Sequence, residues 1–353
     1  MKEFAQILLK WYDEHGRTQL PWRQTHDPYR IWISEIVLQQ TRVAQGYEYY
    51  ERLTQRFPDV FALARAEEDE VMRLWQGLGY YSRARNLHAA AKAVAEMGQF
   101  PTQYDEIRKL KGIGDYTAAA VASFAYGLPH AVVDGNVYRV LSRIFGIDTP
   151  IDSTAGKKEF AALAQTLMDQ QRAGDYNSAI MDFGALQCTP KGMDCEVCPF
   201  AHICIAKAQH RTEELPIKAK KTKVTNRYIV YVYLTDGTYL LLRRRGRGDI
   251  WQGLYEPCLM EYDHAPNDQE VMKDIDPWMS RPKASLKTMA KGMKHLLTHR
   301  RLWVDCYCIH MDELPQLKGY IKVEAEALGH YAMPKILTTL NEAFMHNKAT
   351  HGL

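Results

Sequence analysis

The chain of 353 residues lacks the features that mark membrane-spanning, secreted and disordered proteins. No apolar run approaches the roughly 18 residues that a membrane span needs. The first residues include an acid, Glu3, and no apolar segment typical of a secretory signal, so we expect a cytoplasmic protein in a reducing compartment. Apolar residues make up 46% and charged residues 25%, which excludes wholesale disorder. The length fits two domains.

The sequence also lacks the strong basic excess of many nucleic-acid-binding proteins, because its formal net charge is only +3. Residues 1–211 carry 24 Lys/Arg and 25 Asp/Glu, whereas residues 212–353 carry 21 and 17. Two segments of the second half contain no acid: 218–227 with five Lys/Arg, and 281–301 with seven. A solvated surface explains most such segments, but two of them in one half favour a polyanionic partner.

The hydrophobic pattern divides the chain into a helical region and a mixed region. Over residues 1–211 apolar residues recur at helical spacing and strand-like alternation is scarce, which predicts an all-α region. Residues 212–224 are polar and basic, as is typical of a linker. Over residues 225–353, Tyr228–Leu234 and Tyr239–Leu242 have the pattern of two strands joined by an Asp-Gly hairpin. A later strand and a closing helix complete a predicted α+β domain.

Cysteine is scarce, but four of the seven cysteines lie within 17 residues. Their spacing is C-x6-C-x2-C-x5-C, and in a reducing compartment four thiolates so close together indicate a metal site. Zinc and iron–sulfur clusters both accept four thiolates, so the spacing leaves both open. The candidate ligands are Cys188, Cys195, Cys198 and Cys204.

A glycine-containing turn, Gly112-Ile113-Gly114, separates two predicted helices within residues 105–126. Glycine permits the positive φ of a tight turn. Backbone N–H groups at the start of the following helix form a site suited to a phosphate, although an ordinary helix–helix turn has the same pattern.

Two acids have the character of a pair that acts on a glycosidic bond. Asp134 precedes a predicted helix, where it would act as the N-cap and where the helix N-terminus favours its ionised form. Glu35 has apolar neighbours on both sides, so it either faces solvent or is partly buried. Burial would raise its pKa and allow it to act as an acid near neutral pH. Two carboxyl groups in unlike environments are the arrangement that breaks glycosidic bonds.

Together these motifs resemble one family of DNA repair enzymes. The hairpin, Asp134 about 20 residues after it, and the cysteine spacing are similar to the helix-hairpin-helix DNA glycosylases with a 4Fe-4S cluster. Three further motifs resemble the MutY-type adenine DNA glycosylases within that group: LPWR at 20–23, SEIVLQQT at 34–41 and GLGYY at 77–81. The resemblance covers essentially the whole chain and is denser before residue 211.

The resemblance implies a fold, a reaction and a cofactor. The fold is an all-α glycosylase region with a cluster loop at 188–204, followed by a Nudix-like domain. The reaction is hydrolysis of the N-glycosidic bond of adenine opposite 8-oxoguanine or guanine in duplex DNA, carried out in base excision repair by a monomer of the bacterial cytosol or nucleoid. The cofactor is a 4Fe-4S cluster on the four cysteines. The alternative is an endonuclease III-like glycosylase that also cleaves the strand.

By this resemblance, Glu35 protonates adenine and later activates water, and Asp134 faces the cationic sugar. Tyr116 and Asn136 belong to the same catalytic site. Related enzymes that also cut the strand carry a lysine at the position of Tyr116, and a phenol cannot form the Schiff base that such a lysine forms. We therefore expect base removal by water without dedicated strand cleavage. The resemblance assigns the DNA contacts, including the wedge that replaces the extruded base, to Gln39, Gln40, Thr41, Leu78, Tyr80, Lys111, Gly112 and Gly114.

The C-terminal region resembles a Nudix domain that binds rather than hydrolyses. Residues 251–257 are similar to the tryptophan–glycine turn of that fold, but the acid-rich metal-binding motif of the hydrolases does not follow. In many relatives a Phe-Ser-His loop reads the lesion. Its counterpart is Leu297-Thr298-His299, in which a leucine replaces the aromatic ring. Thr298 and His299 are therefore the expected lesion-reading residues.

Overall fold

The computed structural model describes residues 2–219 and 224–351, which form two units. The first unit contains the described residues up to Arg65 and from Asn86 to 219, and the second contains Ala66–Arg85 and the residues from 224 onwards. The sequence-based division kept 1–211 together, whereas the structure groups Ala66–Arg85 with the second unit. Part of the expected linker, residues 220–223, lies outside the described residues.

The first unit is built from helices, as the hydrophobic pattern predicts. Across the described residues of both units, no helix has the length and apolar character needed to cross a membrane. In chain order the helices are α1 (Lys2–His15), α2 (Pro28–Leu38), α3 (Val43–Arg56), α4 (Val60–Arg65), α5 (Glu68–Leu74), α6 (Ser82–Met97), α7 (Tyr104–Lys109), α8 (Asp115–Tyr126), α9 (Gly135–Phe145), α10 (Thr154–Leu167), α11 (Ala173–Leu186), α12 (Ile205–Ala208), α13 (Asp268–Met279) and α14 (Lys335–His351).

Helix α8 lies in the interior of the first unit and packs against α2, α7 and α11. Its central stretch, 117–123, is buried and consists mostly of alanine, which combines high helix propensity with a small side chain. Small side chains let neighbouring helices approach closely. This packing brings α2, which carries Glu35, next to the first turn of α8, which carries Tyr116.

A fully buried carboxylate ties the segment after α1 to α11. Asp182 accepts hydrogen bonds from the backbone N–H of Arg17 at 2.9 Å and from its Nε at 3.1 Å. The Nη2 atom of Arg23, in a short 3₁₀ turn at Pro21–Arg23, lies 3.6 Å from the same carboxylate. Because a buried charge is tolerated only when it is paired, Asp182 fixes the position of both arginines.

The second unit is built around one mixed sheet, and the predicted fold class is confirmed. The strands are β1 (Thr225–Thr235), β2 (Tyr239–Arg244), β3 (Tyr255–Glu256), β4 (Cys258–Tyr262), β5 (Ser285–Leu296), β6 (Arg300–His310) and β7 (Tyr320–Glu324). Their order in the sheet is β3-β2-β1-β6-β5, with β4 paired to β1 and β7 paired to β2. Strands β1 and β6 run parallel, whereas the other pairs are antiparallel.

The segment Ala66–Arg85 belongs to the second unit through specific side-chain contacts. Gln76 Nε2 donates to Oγ1 of Thr338, in α14, at 3.0 Å. The hydroxyl of Tyr255 donates to Asp69 at 3.1 Å. These bonds hold α5 and Gln76 on the second unit, although the residues before and after this segment in sequence belong to the first unit.

We predict that Asp182→Asn lowers the free energy of unfolding by about 3 kcal/mol, because it leaves two arginines beside a buried neutral group. Denaturant titration of the full chain measures the change. Asp175→Asn is the matched control: Asp175 is exposed and pairs with the half-exposed Arg172, so its loss should cost well under 1 kcal/mol. Equal destabilisation by the two variants would contradict the anchoring role of Asp182.

Candidate active site

The carboxyl group of Glu35 is buried inside the first unit. Helix α2 begins after Asp27, whose side chain accepts a hydrogen bond from the backbone N–H of Tyr29 at 2.9 Å. Glu35 lies two turns further on and is only 7% exposed. The hydroxyl of Tyr116, at the start of α8, donates to Glu35 Oε2 at 2.8 Å. The solvent-facing alternative for Glu35 is therefore wrong.

Burial favours the protonated form of both Glu35 and Tyr116 by raising the pKa of each group. Burial raises the pKa of Glu35, and the Tyr116 hydrogen bond and the charge of Arg23 oppose this rise. Burial and the nearby carboxylates raise the pKa of Tyr116 well above its usual range. Glu35 is thus favoured as a neutral acid, whereas Tyr116 stays protonated as a hydrogen-bond donor.

Asp134 is the N-cap of α9, as the sequence predicts. Its Oδ1 accepts hydrogen bonds from the backbone N–H groups of Asn136 and Val137, each at 2.8 Å. Its Oδ2 accepts from the side-chain amide of Asn136 at 2.9 Å. Burial raises the pKa of Asp134, while these three hydrogen bonds oppose the rise. Sequence reasoning identified the stabilising helix N-terminus but not the opposing burial.

A chain of hydrogen bonds connects Asp134 to the first candidate cluster ligand. Asn136 Oδ1 accepts from Arg139 Nη2 at 2.8 Å, and Arg139 Nε donates to the backbone carbonyl of Cys188 at 2.7 Å. Arg139 is buried, and sequence reasoning missed it. An arginine among the apolar residues of α9 was the available signal, because a buried guanidinium needs several partners.

Arg23 is a second residue of the site to which the sequence analysis assigned no role; it was named only as part of the LPWR motif. Its side chain is largely buried, with the guanidinium 5.4 Å from the centre of the Phe124 ring. Among the described residues its buried Nη1 has no hydrogen-bond partner. Because its charge lowers the pKa of Glu35, this donor lies in the same site.

The helix-hairpin-helix motif consists of α7, the turn and α8. Gly112 has a φ of 81°, and a Cβ atom there would lie 2.6 Å from the Cβ of Asn86, so glycine is required at this position. Lys111, Gly112 and Gly114 are exposed. The next residue, Asp115, is also exposed and forms an ion pair with Arg108.

The residues after α2 change direction sharply. Gln39 Nε2 donates to Thr117 Oγ1 at 3.1 Å, which places Gln39 beside the α8 helix. Gln40 is exposed and has a φ of 58°, a left-handed conformation that non-glycine residues adopt rarely. The backbone N–H of Thr41 donates to the carbonyl of Leu38 at 3.1 Å, which closes the turn.

The four clustered cysteines line one cavity, and none forms a disulfide. Arg143 Nη1 approaches Cys188 Sγ at 3.4 Å and also donates to the Thr189 carbonyl at 2.7 Å. Within residues 2–219 and 224–351, no three His, Cys, Asp or Glu side chains converge as a single metal ion requires.

In the second unit the structure brings together the expected wedge and lesion-reading residues. Tyr80 is 46% exposed and has a φ of 47°. Its hydroxyl shares a hydrogen bond of 2.5 Å with the hydroxyl of Thr298, in the exposed turn between β5 and β6. His299 is exposed in the same turn, whereas Leu78 is buried.

Comparison with known proteins identifies two family models along the chain. Residues 33–166 match the model of the HhH-GPD superfamily base excision DNA repair proteins, and residues 229–343 match that of the NUDIX domain. Among solved structures, a thermostable thymine-DNA glycosylase is similar with a TM-score of 0.55 and 30% identity, covering 59% of this chain and 96% of that one. An endonuclease III–DNA complex has the same fold, with a TM-score of 0.51 and 22% identity over 58% of this chain and 94% of that one.

Curated relatives match over both units. An adenine DNA glycosylase of Buchnera aphidicola (Schizaphis graminum) is 32% identical over 85% of this chain and 86% of its own length. The human adenine DNA glycosylase is 42% identical over 60% of this chain and 41% of its own length. The chain therefore belongs to the adenine DNA glycosylase family and is a DNA N-glycosylase.

Proposed function

We propose that this protein removes adenine paired with 8-oxoguanine or guanine in duplex DNA, by hydrolysis of the N-glycosidic bond, as a step of base excision repair. The observation that carries the proposal is the buried Glu35 carboxyl, hydrogen-bonded to Tyr116 and close to Asp134. A base within the duplex is out of reach of a buried acid, so the adenine must first be extruded from the stack, at a cost of a few kcal/mol.

Glu35 is the proton donor in this mechanism. Its Oε2 is occupied by Tyr116, and among the described residues its Oε1 accepts no hydrogen bond, which leaves that oxygen for the substrate. A neutral Glu35 protonates the leaving base, which departs as neutral adenine. The resulting carboxylate then removes a proton from the attacking water, and this restores the acid.

Asp134 stabilises the sugar as the bond breaks. Three hydrogen bonds fix both carboxylate oxygens, so the group needs no reorientation when positive charge develops. Arg23 contributes its free Nη1 as a donor to an acceptor nitrogen of the extruded base. Both groups act through charges that are held in fixed positions by the surrounding contacts.

Tyr116 favours a monofunctional enzyme over the endonuclease III-like alternative. Its phenol holds the carboxyl of Glu35 instead of attacking the sugar, and its pKa is raised far above the physiological range. Strand cleavage through a Schiff base needs an amine at this position. The reaction therefore ends at an abasic site.

The four cysteines fit a 4Fe-4S cluster. They surround one cavity, and Arg143 and Lys207 on its walls bring positive charge to thiolates. Burial raises the pKa of Cys198 to about 11, so this sulfur becomes a thiolate when a cation binds it. When bound, the cluster would cross-link residues 188–204 through four iron–thiolate bonds, as does the cofactor of other iron–sulfur proteins. Arg139 and Arg143 hold the start of this loop against α9.

Tyr80 and Thr298 are proposed to read the base opposite adenine. The Tyr80 backbone is held in a strained left-handed conformation, and its aromatic ring is suited to insertion between bases. The Thr298 hydroxyl is suited to donate a hydrogen bond to a base edge or to accept one from it. Because Leu297 replaces the aromatic ring that many relatives carry in this loop, Tyr80 supplies the stacking surface.

We predict that Glu35→Gln lowers the rate of adenine release by about 10²–10⁴-fold, because an amide cannot transfer the proton. Single-turnover assays on duplexes with adenine opposite 8-oxoguanine, with and without later alkali, measure base release and strand cleavage separately. Binding to the duplex should be retained. In the parent chain the rate should fall as pH rises through the raised pKa of Glu35. Near-normal release by the variant, or strand cleavage without alkali, would refute the proposed mechanism.

We predict that the purified chain carries iron and a broad visible absorption band, and that Cys198→Ser loses both. Cys308→Ala is the matched control, because Cys308 is buried in the sheet of the second unit and should leave the band unchanged. A colourless chain with stoichiometric zinc would overturn the iron–sulfur assignment.

We predict that Thr298→Val lowers the preference for 8-oxoguanine over guanine opposite adenine by about tenfold, because a hydroxyl contact to a base edge contributes about 1–3 kcal/mol of discrimination. The ratio of single-turnover rates on the two duplexes measures this preference. Thr298→Ser retains the hydroxyl and should keep the ratio. An equal loss of rate on both duplexes would assign Thr298 to structure rather than to recognition.

A further inference from the structure

The hydroxyl of Tyr116 lies between two acceptors. One is Glu35 Oε2 at 2.8 Å, and the other is the thioether sulfur of Met181 at 3.2 Å. Met181 lies on α11 and is only 8% exposed, so its sulfur is fixed in the interior next to the site. A phenol has one hydrogen, which serves one acceptor at a time.

The two acceptors correspond to the two protonation states of Glu35. When Glu35 is a carboxylate, Tyr116 donates to it. When Glu35 is neutral, its proton lies on Oε1, the oxygen left for the substrate, and Oε2 is a carbonyl oxygen, which accepts a hydrogen bond less strongly than a carboxylate does. The Tyr116 hydrogen is then held less tightly by Glu35 and can be shared with a second acceptor. Among the described residues only the sulfur of Met181 offers that acceptor.

We propose that Met181 is a positioning residue of the reaction: its thioether accepts the Tyr116 hydrogen when Glu35 is neutral, and this weakens the hydrogen bond that favours the carboxylate. This relay, in which the Tyr116 hydrogen turns from Glu35 to Met181, stabilises the neutral, proton-donating form of Glu35. Thioether sulfur is a weak acceptor, so it does not compete with the carboxylate once the proton has left. The inference rests on the proposed role of Glu35 as the acid.

The charged groups around Glu35 do not provide this function. Arg23 is a donor that favours the carboxylate, and its charge is balanced from behind by Asp182. Asp134 disfavours the carboxylate through its charge, but its oxygens are occupied by Asn136 and the backbone of α9. Arg23 and Asp134 therefore shift the pKa of Glu35 through their charges, but neither accepts the Tyr116 hydrogen.

The test replaces Met181 by leucine in the full chain and follows single-turnover adenine release as a function of pH. Leucine conserves the apolar volume but has no acceptor, so Tyr116 donates only to Glu35 and favours the carboxylate. The limb on which activity declines as pH rises should therefore move to lower pH. At pH values on this limb the variant should be about three-fold slower, whereas at low pH, where Glu35 is neutral in both proteins, the rates should converge.

Three controls separate the relay from packing. Met168→Leu changes another buried methionine of the first unit and should leave the pH profile unchanged. Met181→Ile repeats the loss of the acceptor with a different shape, which guards against misfolding of one variant. In a Tyr116→Phe background, Met181→Leu should cause no further shift of the limb.

The outcomes distinguish the inference from the function on which it rests. If the parent chain has no high-pH limb that depends on Glu35, the assignment of the acid fails. If that limb is present and Met181→Leu leaves it in place, or slows the reaction equally at every pH, the relay is overturned and Met181 is a packing residue.

Discussion

The removal of the Glu35 carboxyl from water is the constraint around which the site is arranged. Apolar neighbours on α2 and α8 exclude solvent, and this burial raises the pKa of the carboxyl group and favours its protonated form. The same burial requires that every nearby polar group be held in place. Tyr116 therefore bonds to Glu35, and the charge of Arg23 is balanced by the buried Asp182. Stability and reactivity thus depend on the same few contacts.

Helix α9 joins the second acid to the cysteine loop. Asp134 caps its first turn, and Arg139 and Arg143, one turn apart, hold the backbone around Cys188. The orientation of Asp134 is thus connected through Asn136 and Arg139 to the conformation of a loop that is proposed to be cross-linked by iron. A loop remote in sequence from Asp134 thereby contributes to the precision of the site.

The sequence predicted what depends on local chemistry. The helical and mixed regions, the N-cap at Asp134 and the grouping of four cysteines follow from periodicity, capping and spacing. The burial of Glu35 did not follow, because apolar neighbours fit a solvent-facing acid as well. Met181 lies 65 residues from Tyr116 and resembles any core methionine, so only tertiary packing reveals their contact. The hydrogen-bond partners of Arg139 and the placement of Ala66–Arg85 in the second unit also depend on tertiary packing, so the sequence did not predict them.

The placement of Ala66–Arg85 has a consequence for how this architecture can be recombined. The chain leaves the first unit at Arg65, contributes a segment to the second, and re-enters the first within helix α6. In a chimera that exchanged only the residues after the linker, Gln76 and Tyr81 would lose their matched partners, because the residues at positions Thr338 and Met333 would come from a foreign sequence. The two units are therefore interleaved rather than consecutive modules, and the 20-residue segment must be inherited together with the C-terminal sheet that it contacts.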